Sequence, residues 1–392
     1  SHTDNGDDGG DGHDNGNSPL AQLKVLDLAN NSLTHVPMPA LSHMPNLSVL
    51  NLASNLISSI PDAAFERQAM LSHLSLRDNR LSTLGAKSFA GLGQLERLGL
   101  GYNDISTIAD GAFAPMQALK QLFLETNPLG CLRKAWLVPL GQLERFQCTW
   151  ARLTHVDAGA FDTAVNLLHL DLFNNELTSL PAELLRPLRR LQHLDVSGNK
   201  ITTIQAEAFA DLTSLKKVVM SDNKIETIET GTFTGATLLA ELQLQGNRLT
   251  TISNGVLSAS QRQLAVLQLD DNKITGFPLA LLHQLASLRE LTLGGNEMRR
   301  FVPELSSCAT LPVNTSEAIC MASDPVAQGM QRTGCNNNNN DDDDDDDECC
   351  FASRFTLQLL LLSDNRGMST LPPFGAFPCL QQIVMQNHHD ST

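Results

Sequence analysis

The sequence predicts an α/β solenoid: a curved coil with a parallel β-sheet on its concave face and irregular or short helical segments on its convex face. Three observations carry this. An eleven-residue pattern of Leu and Asn returns every twenty-four residues. Within it, apolar and polar residues alternate with the period of two that marks a strand buried on one side. The chain is also 42% hydrophobic but only 5% aromatic, with a single Tyr, as expected when one small Leu-based packing unit is used repeatedly.

The first unit is LKVLDLANNSL from Leu23, which reads L-x-x-L-x-L-x-x-N-x-L. The pattern restarts at Leu47, Leu71, Leu95, Leu119, Leu143, Leu167, Leu191, Leu215 and Leu239; one extra residue then moves the last two starts to Leu264 and Leu288, giving twelve consecutive repeats. In each L-x-L the Leu residues point inward and their neighbours outward. Stacking then pairs the short strands into one parallel sheet. An Asn follows each strand where the chain turns inward (Asn31, Asn55, Asn79, Asn103, Asn127, Asn175, Asn199, Asn223, Asn247, Asn272 and Asn296). Phe65, Phe89, Phe113, Phe161, Phe209 and Phe233 share a later position, and their spacing predicts a stacked spine beneath the convex side.

These units resemble the leucine-rich-repeat family in its typical form, L-x-x-L-x-L-x-x-N-x-L-x-x-(L/I)-x-x-x-x-F-x-x-L. LSHLSLRDNRLSTLGAKSFAGL from Leu71 and LQHLDVSGNKITTIQAEAFADL from Leu191 are clear copies. The resemblance covers residues 20–305 and resumes at Leu357. It implies that the Asn side chains bond buried backbone groups of neighbouring turns. It also implies use outside the cell or at its surface, as in Toll-like receptors, Slit proteins and small proteoglycans. The family motif is specific for fold and weakly specific for function.

Four regions follow: an acidic Gly/Asp-rich tail over 1–20, the solenoid over 21–307, a Cys-bearing insertion over 308–355, and resumed repeats over 356–392. The tail lacks the ligand spacing and closing Glu of a calcium-binding loop. The insertion carries Cys308, Cys320, Cys335, Cys349 and Cys350 around the Asn336–Glu348 run, which has too little apolar surface to fold and reads as a disordered loop. No polar cap closes either end. A start without Met and a stop inside a repeat suggest a fragment of a longer protein. Within the array, NPLGCLRKAWLVPLGQLERFQCTWARL keeps the period, but Ala151 replaces the Asn and Cys148 takes a core Leu position. Cys131 and Cys148 are either a disulfide or two buried thiols.

Outward-facing strand residues are where a rigid concave sheet meets a ligand. Four aromatics, Tyr102, Phe123, Trp150 and Phe173, fall at nominally exposed positions of four repeats in a ring-poor chain, flanked by Arg97, Arg145 and Asp171. That composition matches an interface hot spot. LHLDL and QHLDV place His169, Asp171, His193 and Asp195 on adjacent strands. Such a set has the chemistry to hold Zn²⁺, although cross-strand His–Asp pairing is the plainer expectation, and no metal or other cofactor is expected.

The formal charge of −16 is concentrated: without the five Asp of the first twenty residues and the eight acids of 341–348, the remainder is near −3. No Lys/Arg-rich stretch offers a phosphate-binding patch, so no nucleic-acid partner is expected. Nor is any apolar run long enough to insert in a membrane. No G-x-S-x-G, phosphate-binding Gly loop or H-E-x-x-H occurs, and an enzyme is not expected. The resemblance thus implies a secreted or cell-surface module that recognises a protein ligand on its concave sheet. An intracellular scaffold or regulatory arm is the alternative. Sequons at Asn30, Asn46 and Asn314 are candidate glycosylation sites for the former.

Overall fold

The computed structural model describes residues 19–257, 261–302, 357–365, 368 and 382–384. Fourteen parallel strands form one sheet along the concave face, ordered as they occur in the chain. They are β1 (Val25–Asp27), β2 (Val49–Asn51), β3 (His73–Ser75), β4 (Arg97–Gly99), β5 (Gln121–Phe123), β6 (Arg145–Gln147), β7 (His169–Asp171), β8 (His193–Asp195), β9 (Lys217–Val219), β10 (Glu241–Gln243), β11 (Val266–Gln268), β12 (Glu290–Thr292), β13 (Leu359–Leu361) and β14 (Gln382–Val384). Each pair is in strict register, so equivalent repeat positions stand side by side, as in Arg97↔Gln121↔Arg145↔His169↔His193. The convex side is mostly turns, with short helices α1 (Met38–Leu41), α2 (Lys134–Leu137), α3 (Ala182–Leu185) and α4 (Leu279–Gln284). The acidic tail up to residue 18, the Cys-bearing insertion and Asn314 lie outside the described residues.

The core is a continuous column of Leu. Leu98 and Leu100 of one repeat, and Leu122 and Leu124 of the next, are fully buried. Burying a Leu contributes about 1.5–3 kcal/mol, so the inward pair of each strand glues its repeat to both neighbours.

The Asn residues bond as the family resemblance implies. Asn199 Nδ2 donates to the carbonyls of Leu172 (3.0 Å) in the preceding repeat and Val196 (2.9 Å) in its own, while its Oδ1 accepts the N–H of Leu177 (3.0 Å). One buried amide thereby serves three backbone groups that have no ladder partner. Where Ala151 breaks the series, Asn175 Oδ1 accepts both the Ala151 and Leu153 N–H groups at 3.0 Å, and the Leu129 N–H turns to the carbonyl of Asn127 at 2.8 Å.

One expectation is corrected, and one pair of alternatives is met by the second of the two. The Phe spine is not continuous: Phe65, Phe89 and Phe113 stack in succession, as do Phe209 and Phe233, but Phe161 instead meets Phe146 edge-on. Leu137 and Leu185 occupy the spine position in the intervening repeats and break the column. Cys131 and Cys148 are both free thiols. Cys131 is half-buried in a two-residue strand beside His155, outside the main sheet, whereas Cys148 is sealed in the core just past β6, so the two sit on different walls of the coil. Burial pushes the Cys148 thiol far above its ordinary pKa, the nearby carboxylates of Glu125 and Asp171 adding to the effect.

Candidate functional site

The turn after each concave strand passes through the left-handed backbone region. Asn30, Asp78, Asn174, Asp222 and Asp271 take it with φ between 52° and 56°, and Gly198, Gly246 and Gly295 take it without a Cβ. Asn, Asp and Gly tolerate that region; bulky side chains do so at a cost of about 1–2 kcal/mol. Ser54 and Thr126 take it as well, and two further repeats depart most from this chemistry. Tyr102 (φ 56°) and Trp150 (φ 55°) hold aromatic rings at the same turn position, and both rings are presented to solvent, at 46% and 57% exposure. Phe123, on the strand between them, and Phe173, just past the strand of the repeat that follows Trp150, are half-buried.

Arginines stack on these rings. The Arg77 guanidinium lies 4.1 Å from the Tyr102 ring centre, and Arg97 and Arg145 approach Phe123 from its two neighbouring strands at 4.9 and 5.9 Å. Trp150 meets Phe173 edge-on at 6.0 Å. The four aromatics singled out from the sequence therefore form two clusters. Tyr102 and Phe123 stand among guanidiniums, while Trp150 and Phe173 pair with each other.

Beside the first cluster the sheet is hollow. β4 ends at Gly99, whose bare backbone lines a depression of about 560 Å³ bounded by His73, Ser75, Arg77, Arg97, Phe123 and Glu125 among others. Glu125 lies across Gly101, where a Cβ would overlap its carboxylate, and pairs with Arg77 two strands away. Its side chain is only 10% exposed, and its Oε2 has no hydrogen-bond partner. Burial raises the Glu125 pKa, against the lowering influence of its backbone hydrogen bond and of Arg77. Neither Arg77 nor Glu125 is among the residues singled out from the sequence. The signal was present in the G-L-G of Gly99–Gly101, two outward positions with no side chain.

His169 and His193 face each other in register on β7 and β8, their rings stacked at 4.6 Å and within 6° of parallel. Burial lowers both pKa values; His193 and Arg145 add to this at His169, and chiefly Lys216 and Lys217 at His193. Asp171 and Asp195 stand beside each other on the same strands, and burial raises the Asp171 pKa. Asp171 accepts the Phe173 N–H at 3.1 Å and Asp195 the Ser197 N–H at 2.9 Å. The carboxylates thus hold the ends of their own strands rather than the imidazoles. Among the described residues no group of three or more His, Cys, Asp or Glu is arranged to hold a metal ion, and no helix is long and apolar enough to cross a membrane. Asn30 and Asn46 are exposed; Asn46 Nδ2 donates to the Ala21 carbonyl at 2.7 Å.

The leucine rich repeat profile matches residues 21–81, 69–129, 141–201, 189–249 and 237–298. No curated protein sequence matches the chain. Among solved structures, a leucine-rich-repeat protein of Leptospira interrogans is 27% identical, with a TM-score of 0.62 over 70% of this chain and 66% of that one, just under two thirds of its length. A chain from the octameric complex of Latrophilin 3, Unc5D and the leucine-rich-repeat protein FLRT2 is 28% identical (TM-score 0.51, 69% of this chain and 74% of that one). An internalin from Listeria monocytogenes is 18% identical and shares the fold over 95% of this chain and 88% of its own, with a TM-score of 0.64. With the repeat profile matching well over half of its residues, and with that fold, the chain belongs to the leucine-rich-repeat family.

Proposed function

We propose that this chain is the protein-binding module of a secreted protein or receptor ectodomain, and that it recognises a protein ligand on its concave face. The contact surface runs from Arg97 to Asp195 and comprises Arg97, Tyr102, Phe123, Arg145, Trp150, His169, Asp171, Phe173, His193 and Asp195. The observation that carries this reading is the pair of exposed aromatics at left-handed turns. Tyr102 and Trp150 stand where other repeats use Asn, Asp, Gly, Ser or Thr, so the turn itself does not call for a ring. Exposed, rigid rings next to Arg are the side chains that dominate protein interfaces. Location outside the cell is supported by the likeness to the FLRT2 complex and by the exposed sequons at Asn30 and Asn46.

The second reading, an intracellular scaffold or regulatory arm, is favoured by the free thiols of Cys131 and Cys148. Both readings keep the concave face as the contact surface. The experiment is a comparative capture from cell-surface and secreted protein pools, followed by direct titration of each captured ligand in purified form. The chain is compared with Tyr102→Asn/Trp150→Asn and with the outer-side variant Arg186→Gln. At least a tenfold loss with the concave variant and none with Arg186→Gln is expected. The reverse pattern contradicts the reading.

A further inference from the structure

We infer that Arg97 and Arg145 form a seat for a carboxylate, so that the protein partner docks an acidic side chain, Asp or Glu, against Phe123. This rests on the concave-face reading and specifies the partner's chemistry. Arg97 and Arg145 lie on β4 and β6, either side of β5, and both guanidiniums converge on the one ring of Phe123, at 4.9 and 5.9 Å from its centre. Both side chains are exposed. No carboxylate lies within ion-pair distance of either among the described residues. The one acid in the adjoining hollow, Glu125, is taken by Arg77. Asp171 is close enough to Arg145 for the two to influence each other but stands outside ion-pair reach.

The Phe123 ring stands between the two like charges, and an anion at the outer edge of that ring is attracted by both. A guanidinium lying over an aromatic face keeps the edge of its planar fork open, and that edge matches a carboxylate with two parallel hydrogen bonds. Gly99 and Ser75 supply the space on the Arg97 side of the ring, where the hollow beside Phe123 is floored by backbone and a hydroxymethyl group; Arg145 stands outside the hollow, on the other side of Phe123. An entering acidic side chain has room for its methylenes against the Phe123 ring. Glu125, the one carboxylate lining the hollow, is paired with Arg77 through Oε1, which lowers its pull on a cationic occupant.

The test is a titration of the whole chain with the peptide acetyl-Gly-Glu-Gly-Glu-Gly-amide and its Gln analogue. It is followed by ligand-observed NMR and by the side-chain Nε–H signals of the arginines. The Glu peptide is expected to bind in the millimolar range and to shift Arg97 and Arg145 selectively. The Gln analogue should bind at least tenfold more weakly. Arg97→Gln/Arg145→Gln should lose the interaction, and Arg186→Gln should retain it. Equal binding of the two peptides, or full retention by the double variant, overturns the proposal. So does capture of a heparin-type hexasaccharide through these arginines with no peptide binding. A partner whose affinity depends on Tyr102 and Trp150 but not on Arg97 and Arg145 removes the carboxylate seat and leaves the concave-face reading standing.

Discussion

The carboxylate of Glu125 rests on the bare backbone of Gly101, and only the absence of a side chain there lets it reach Arg77 two strands away. Gly101 has an ordinary backbone conformation, so its importance is spatial and not conformational. Replacing it with Ala forces a methyl group into the Glu125 carboxylate. Gly101→Ala is expected to cost about 1–3 kcal/mol, the usual range for an overfilled site, read as a lower denaturation midpoint. On a Glu125→Ala background the same substitution should cost less than about 0.5 kcal/mol, because no coupling survives once the partner group is gone. Equal costs in both backgrounds would sink this account.

Tyr102 and Trp150 make the opposite kind of prediction. Asn is at home in the left-handed turn, so Tyr102→Asn and Trp150→Asn should relieve about 1 kcal/mol of backbone strain each. That gain is offset in part by the lost Arg77 contact at Tyr102 and the lost Phe173 contact at Trp150. Each variant should fold within about 0.5 kcal/mol of the parent, or more stably, while binding falls. A loss of several kcal/mol in thermal or chemical unfolding would mean the rings serve the fold.

The His169–His193 stack gives the fold a pH dependence. Both imidazoles are held below their ordinary pKa, so the unfolded chain takes up protons more readily than the folded one as pH drops below about 6.5. Stability contributed by the neutral pair is therefore complete above that pH and lost on acidification. Between pH 7.5 and 5.5 the parent is expected to lose stability relative to His169→Gln/His193→Gln in urea unfolding. A difference that is flat, or that moves in the parent's favour, contradicts the assignment.

The Asn ladder separates two chemically identical residues by context. Asn199→Ala strands the Leu172 and Val196 carbonyls and the Leu177 N–H in the core, and about 2–4 kcal/mol should be lost. Asn31 is exposed and donates only to Leu28 and Ala29 of its own turn, so Asn31→Ala should cost less than about 1 kcal/mol. Equal costs, measured by urea unfolding, would show that the interlocking of repeats is not what the amides provide.

The repeat pattern made the sheet, the inward Leu pairs and the Asn positions legible in the sequence, because each depends on one repeated local geometry. The left-handed turn that strains Tyr102 was not legible, since Ser54 and Thr126 stand at the same position and disguise its preference. The break in the Phe spine follows from Leu137 and Leu185, whose effect on ring stacking two repeats apart appears only in three dimensions. The hollow was missed for a related reason. A face was read as the side chains it carries, whereas the depression opens over Gly99, which carries none, and Gly101 is bare only to make room for Glu125.

The central claim is that the concave face between Arg97 and Asp195 is where a protein ligand sits. Hydrogen exchange of the chain alone and bound to a captured ligand tests this most directly. Slowed exchange over β4 to β8 and the turns at Tyr102 and Trp150, with the segments of α2 and α3 unchanged, is the predicted result. Protection confined to the convex segments, with β4 to β8 exchanging as in the free chain, would contradict it.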